Sequence, residues 1–80
     1  MGGFVRYFLP VLHRHPYTEV FITLQGEALY TVGGETFPVK AGEIAIAPPN
    51  TPHKFVSVGV TPLIQVDIHD AGTMVQEDLE

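Results

Sequence analysis

Cysteine and tryptophan are absent from the 80 residues, and only four Lys and Arg side chains stand against nine carboxylates. Without cysteine there is no disulfide, no thiolate metal ligand and no thiol nucleophile, and the redox compartment stays open. A net charge of -5 leaves no basic surface to neutralise phosphates, so nucleic acid is not an expected partner. No apolar run is long enough for a membrane-spanning helix. The N-terminus shows no basic region followed by an apolar core and a cleavage site, so no secretory signal is read. Met1-Gly2 begins like a myristoylation signal, but Arg6 stands where Ser or Thr is required. A cytoplasmic location is the default expectation. No window repeats apolar residues at helical spacing over the length of an ordinary helix.

What is present is short, apolar and densely punctuated. Turn signals fall at Pro16, Gly26-Glu27, Gly33-Gly34, Ala41-Gly42, Pro48 to Pro52, Gly59 and Ala71-Gly72. The segments between them are rich in Val, Ile, Phe, Tyr and Thr, the pattern of an all-β sandwich or barrel. The tail from Met74 to Glu80 reads either as one helical turn or as an edge strand. Residues 1–80 form one domain with no repeat and no linker. A domain this small buries only ~60–65% of the surface its unfolded chain exposes. It therefore calls for a metal, a disulfide or a partner subunit. The missing cysteines leave the metal and the subunit.

Side-chain parity along the strands locates candidate chemistry, because successive residues point to opposite faces. On the segment Val5 to His15, the odd positions are Val5, Tyr7, Leu9, Val11, His13 and His15, so one apolar face ends in two histidines. Pro10 marks an edge or an irregularity, since it donates nothing to a ladder. On the next strand Glu19 shares a face with Phe21 and Thr23, and the opposite face is Val20, Ile22 and Leu24. A strand apolar on both faces is covered on both faces. In a chain of this size the second cover is expected to be another copy, giving a homodimer. Gly33-Gly34 between Ala28 to Val32 and Glu35 to Lys40 reads as a tight hairpin. Glu43 to Ala47 places Ile44 and Ile46 together. His53 to Val58 places His53, Phe55 and Ser57 together. Leu63 to His69 sets Ile64, Val66 and Ile68 against Gln65, Asp67 and His69.

Three of the four histidines lie in two stretches, His13-Arg-His15-Pro-Tyr-Thr-Glu19 and the segment from Gly42 through Pro48 to His53. A His-x-His pair on a strand sets two imidazoles on one face about 7 Å apart at the backbone, within reach of one ion. Pro16 and Tyr17 let the chain turn so that Glu19 returns on a neighbouring strand. His53 joins only if the fold closes. His13, His15, Glu19 and His53 are thus read as ligands of one divalent first-row transition metal (Mn, Fe, Co, Ni, Cu or Zn). Three imidazoles are too nitrogen-rich for Mg or Ca. The first spacing alone arises by shuffling on the order of once in a thousand chains of this composition.

These spacings resemble the two motifs of the cupin family. In the first, Gly-x5-His-x-His-x3or4-Glu-x6-Gly, the matches are His13, His15, Glu19 and Gly26, with Tyr7 in place of the leading Gly. In the second, Gly-x5-Pro-x-Gly-x2-His-x3-Asn, the matches are Gly42, Pro48 and His53. Asn50 replaces the middle Gly and Ser57 the final Asn. Asn tolerates the left-handed backbone that such a Gly serves. The resemblance covers about residues 7 to 57, with fifteen residues between the motifs. It implies a small antiparallel jelly-roll β-barrel, a metal near one mouth, and a homodimer, since family members are commonly dimeric.

Phe21, Thr23, Tyr30 and Phe55 are the expected substrate-contacting positions, with plain core packing as the alternative. Gln65, Asp67 and His69 either line the pocket or, as the plainer reading has it, form the solvent face of an edge-side strand. Arg6 and Arg14 face away from the ligands, toward the surface or a dimer contact. Two functional classes remain. One is a metal-dependent enzyme acting on a small organic molecule that chelates the metal, of dioxygenase, isomerase or lyase type. The other is a non-catalytic small-molecule or metal-binding module whose metal mainly stabilises the barrel. In both, a small-molecule ligand is the expected partner.

Overall fold

The computed structural model describes residues 11–80, so the expectations for Val5 to Pro10, Arg6 and Tyr7 among them, lie outside the described residues. The described chain is all β. Its strands are β1 (His13–Arg14), β2 (Glu19–Gln25), β3 (Glu27–Val32), β4 (Glu35–Lys40), β5 (Ile44–Ala47), β6 (His53–Val58), β7 (Ile64–His69) and β8 (Glu77–Asp78). They form a five-stranded sheet in the order β4-β3-β6-β1-β8 and a three-stranded sheet in the order β5-β2-β7. Every pairing is antiparallel. No helix among the described residues is long and apolar enough to cross a membrane.

The turns follow from the residues that make them. Val32 pairs with Glu35, so Gly33-Gly34 alone closes the β3–β4 hairpin, with Gly33 at φ 62°. Pro38 is tolerated because β4 is an edge strand. Gly26 is the single residue between β2 and β3, and there the chain passes from one sheet to the other. Its φ is 84°, and a Cβ would lie 2.7 Å from the Pro62 carbonyl oxygen and 3.0 Å from Leu63 Cα. Only glycine fits so close an approach. Asn50 takes the left-handed conformation at φ 61°, as expected of a residue standing in for glycine.

The core lies between the sheets. Phe21, Ala45 and Ala47 from the three-stranded sheet meet Ala28, Tyr30 and Val39 from the five-stranded one. Phe21 packs edge-to-face on Tyr30 at 5.1 Å between centroids, and Phe55 stacks on Tyr30 at 5.3 Å. The alanines of β5 leave room for these rings beside β2.

One open alternative is decided and two local expectations change. The tail is an edge strand, not a helical turn: β8 pairs with β1, aligning Arg14 with Glu77, and Leu79 N–H donates to the Leu12 carbonyl. Arg14 is therefore engaged within the chain, 2.6 Å from the Glu77 carboxylate. Val11 is 39% exposed and does not share the ligand face, because the ladder begins only at His13. On β7 the plainer sequence reading is reversed. Ile64, Val66 and Ile68 point out of the barrel, and Gln65, Asp67 and His69 point in. The register explains this: Glu19 sits opposite His69, Phe21 opposite Asp67 and Thr23 opposite Gln65, and opposed residues share a face.

Candidate metal centre

The four predicted ligands converge at one end of the barrel, bridging both sheets. His13 on β1 is paired directly with His53, the first residue of β6. His15 lies just past β1, where the chain turns at Pro16. Asn50 N–H donates to the His15 carbonyl at 2.6 Å, tying the loop before β6 to this turn. Glu19 opens β2 and enters from the opposite sheet. One ligating atom from each of His13, His15, Glu19 and His53 lies within 4.8 Å of the others, and all four residues are buried.

Each histidine is oriented by a backbone carbonyl. Nδ1 of His13 lies 2.6 Å from the Val11 oxygen, Nδ1 of His15 lies 2.7 Å from the Val75 oxygen, and Nδ1 of His53 lies 2.8 Å from the Thr51 oxygen. A carbonyl only accepts, so each Nδ1 carries the hydrogen and donates it. That leaves the three Nε2 atoms to face inward. Glu19 Oε1 stands 3.0 Å from His53 Nε2 and 3.1 Å from His15 Nε2. His15 Nε2 is buried without a hydrogen-bond partner. A buried imidazole lone pair aimed at a carboxylate oxygen is unfavourable unless a cation lies between them. The donor set of three imidazole nitrogens and one carboxylate oxygen therefore fits a divalent first-row metal.

Protonation states follow the same geometry. Burial pulls the His53 imidazole toward the neutral form, but its hydrogen bonds to Glu19 and the Thr51 carbonyl, with the negative charges of Glu19 and Asp67, together outweigh this and the net shift is upward from 6.5. Burial raises the Glu19 carboxyl, yet His53, with His69 and His15 nearby, brings it below its ordinary 4.5. Burial pushes His13 below 6.5, assisted by the neighbouring His53 and His15. Deeper in the barrel, burial and the negative charges of Asp67 and Glu19 hold Tyr30 well above the ordinary tyrosine range. Partial desolvation and the nearby Glu19 charge likewise raise the Asp67 carboxyl.

Of the expected substrate-contacting residues, Phe21, Thr23 and Tyr30 are 0–1% exposed and Phe55 is half-buried. They pack below the ligands, with Phe21 and His53 ring centroids 5.8 Å apart. Tyr30 donates to Gln65 Oε1 at 2.5 Å.

Two side chains near the ligands had no motif signal. His69 Nε2 lies 3.2 Å from Glu19 Oε2, and Tyr17 Oη lies 2.8 Å from His69 Nδ1. The usable clue was parity: β7 carries three polar residues on one face and three aliphatics on the other, and β2 already shows that the outer face of this sheet is apolar.

The fold agrees with comparisons to known proteins. The family described as Cupin domain matches residues 9–69. An uncharacterized protein of Methanocaldococcus jannaschii is 44% identical over 55 residues, covering 66% of this chain and 43% of that protein. The mannose-1-phosphate guanylyltransferase RfbM of Salmonella typhimurium is 38% identical over 71 residues, covering 89% of this chain but 14% of the enzyme. The chain thus spans less than half the length of either relative. Among solved structures, a Klebsiella pneumoniae protein with a double-stranded β-helix domain superposes with a TM-score of 0.79 at 33% identity, covering 88% of this chain and 63% of that one. A cupin-like protein of Thermotoga maritima gives 0.77 at 24% identity, covering 90% and 59%, a likeness of fold alone. With its two-sheet antiparallel barrel and the family match across most of its length, the chain belongs to the cupin family.

Proposed function

We propose that this protein binds one divalent first-row transition metal through Nε2 of His13, His15 and His53 and Oε1 of Glu19, and uses it to hold a small organic molecule that chelates the metal. The observation that carries this reading is the inward convergence of three carbonyl-fixed imidazoles on a single carboxylate oxygen, with one Nε2 unpartnered. Four protein ligands leave one or two positions free on a five- or six-coordinate ion. Such an ion supplies Lewis acidity, or an oxygen-binding site, to a bound carboxylate, keto or diol group. Phe21, Thr23, Tyr30 and Phe55 would form the floor below that group, with Asp67 and His69 on its β7 side. Elemental analysis of protein purified without added metal should find about one first-row metal per chain. A panel of keto-acids, catechols and sugars should then show binding or turnover that chelation abolishes. Metal content near zero, or a His53→Ala variant with full occupancy, would contradict the ligand assignment.

A second reading, a binding module without catalysis, is supported by the guanylyltransferase match, where the similar stretch is a small part of a larger enzyme. Binding of panel compounds without turnover would select it.

The same proposal includes a homodimer through the outside of the three-stranded sheet. Ile44 and Ile46 of β5, Val20, Ile22 and Leu24 of β2, and Ile64, Val66 and Ile68 of β7 form one apolar face, with Val20 opposite both Ile46 and Ile68. Six of the eight side chains are 45–60% exposed in the single chain. Their exposed area is on the order of 600 Å², at the upper end for a monomer's largest patch and most of the roughly 800 Å² per partner of a standard interface. Light scattering should give twice the 8.8 kDa chain mass, and an Ile46→Asp, Val66→Asp variant should give the chain mass alone. A monomeric wild type at micromolar concentration contradicts it.

A further inference from the structure

We propose that His69, braced by Tyr17, positions Glu19 so that it meets the metal through Oε1 alone; this rests on the metal reading above. The two oxygens of Glu19 are not equivalent. Oε1 faces Nε2 of His53 and His15 at 3.0 and 3.1 Å. Oε2 is directed to the other side and meets His69 Nε2 at 3.2 Å. His69 stands outside the four residues whose ligating atoms converge.

The direction of each hydrogen bond behind Oε2 follows from one end of the chain of contacts. Val75 N–H lies 3.4 Å from the Tyr17 hydroxyl oxygen, and a backbone N–H only donates. The Tyr17 oxygen therefore accepts from Val75, and its own hydrogen is free for His69 Nδ1 at 2.8 Å. An imidazole whose Nδ1 accepts carries its hydrogen on Nε2, the atom that lies 3.2 Å from Glu19 Oε2. The Val75 carbonyl takes the Nδ1 hydrogen of His15 at 2.7 Å, so one residue fixes both a ligand and the brace. Stacking supports the arrangement: the Tyr17 ring lies on His15 at 4.8 Å with an interplanar angle of 18°, and His69 stands edge-on to His15 at 4.9 Å.

The consequence concerns the number of open positions. A carboxylate free to rotate can chelate through both oxygens. With Oε2 tethered, Glu19 occupies one position, and one more is left to a small molecule. Partners that orient ligands in this way are typically worth ~10–100-fold in metal affinity.

The test is Co(II) binding by chelator competition together with the visible absorption of the loaded protein, which weakens as coordination number rises. His69→Leu should bind Co(II) ~10–100-fold more weakly, with weaker absorption per bound ion. His69→Gln, which returns an N–H donor at similar reach, should recover most of both. Tyr17→Phe keeps the ring on His15 but removes the hydroxyl, and should shift both in the direction of His69→Leu by a smaller factor. Circular dichroism identifies any variant that fails to fold. If His69→Leu fails to fold, Tyr17→Phe and His69→Gln decide the matter: wild-type affinity and spectrum in Tyr17→Phe would overturn the inference. The same result in a folded His69→Leu would also overturn it, while leaving the four-ligand reading intact. A wild-type chain that binds no Co(II) would overturn that reading first, and this inference with it.

Discussion

Replacing Glu19 by Gln removes a buried charge without changing shape, and its effect on the metal-free protein depends on pH in a calculable way. Glu19 is 4% exposed, and Nε2 of His53, His15 and His69 all lie within 3.2 Å of its oxygens. His53 is raised above its ordinary 6.5 and Glu19 lowered below its ordinary 4.5, so the charged pair is favoured by folding. The His53 contribution is fully present below 6.5 and is lost as pH rises through the raised value. The Glu19 contribution is present above 4.5 and is lost as pH falls through the lowered value. The pair therefore stabilises most between about pH 4.5 and 6.5. A hydrogen bond to a charged group contributes about 1.5–3 kcal/mol. At ~4–8 °C per kcal/mol for a domain of this size, Glu19→Gln should lower Tm by roughly 6–24 °C at pH 5.5. At pH above the raised His53 value the imidazole is neutral, its Nε2 lone pair faces the carboxylate, and the loss should vanish or reverse. The assay is thermal unfolding by circular dichroism, in chelator, across pH 5–9. A Tm difference that stays constant over that range would refute the electrostatic reasoning, and no difference at pH 5.5 would refute the pairing itself.

Other consequences can be measured separately. Gly26→Ala places a Cβ 2.7 Å from the Pro62 carbonyl oxygen in a left-handed conformation, so urea unfolding should show a loss of at least ~1–2 kcal/mol, while Gly72→Ala, with open space around it, should change little. Deleting residues 74–80 removes the Val75 carbonyl from His15 Nδ1 and should weaken Zn(II) binding ~10–100-fold, even though no ligand is lost. Metal binding would displace the proton that His53 holds against Glu19, so calorimetry in buffers of different ionisation enthalpy should show proton release at pH 6 that falls away as pH rises through the raised His53 value.

The cluster of His13, His15, Glu19 and His53 was legible because its chemistry and spacing are local. His13 and His15 share a strand face, Glu19 follows one turn later, and Asn50 could be recognised as a residue that accepts φ 61°. The hairpin at Gly33-Gly34 was legible for the same reason. What escaped is long-range register. His69 faces Glu19 only because β7 pairs with β2 across about fifty residues of intervening sequence, and no local pattern encodes that pairing. The alternation of β7 was clear, but a polar face on an edge strand reads as solvent-facing unless its aliphatic face has a cover of its own. The doubly apolar β2 held that information, since its neighbours in the sheet must share its outer face. The role of Val75 is carried by backbone atoms, which no side-chain pattern reveals.

The central claim is that Nε2 of His13, His15 and His53 faces one metal, and imidazole 15N NMR with and without Zn(II) tests it most directly. In the metal-free protein at alkaline pH, the three rings should show hydrogen on Nδ1, where the backbone carbonyls accept it, and a bare Nε2. One equivalent of Zn(II) should move all three Nε2 resonances and leave His69 with its hydrogen on Nε2. Unchanged Nε2 resonances for His13, His15 and His53 after Zn(II) addition would contradict the account.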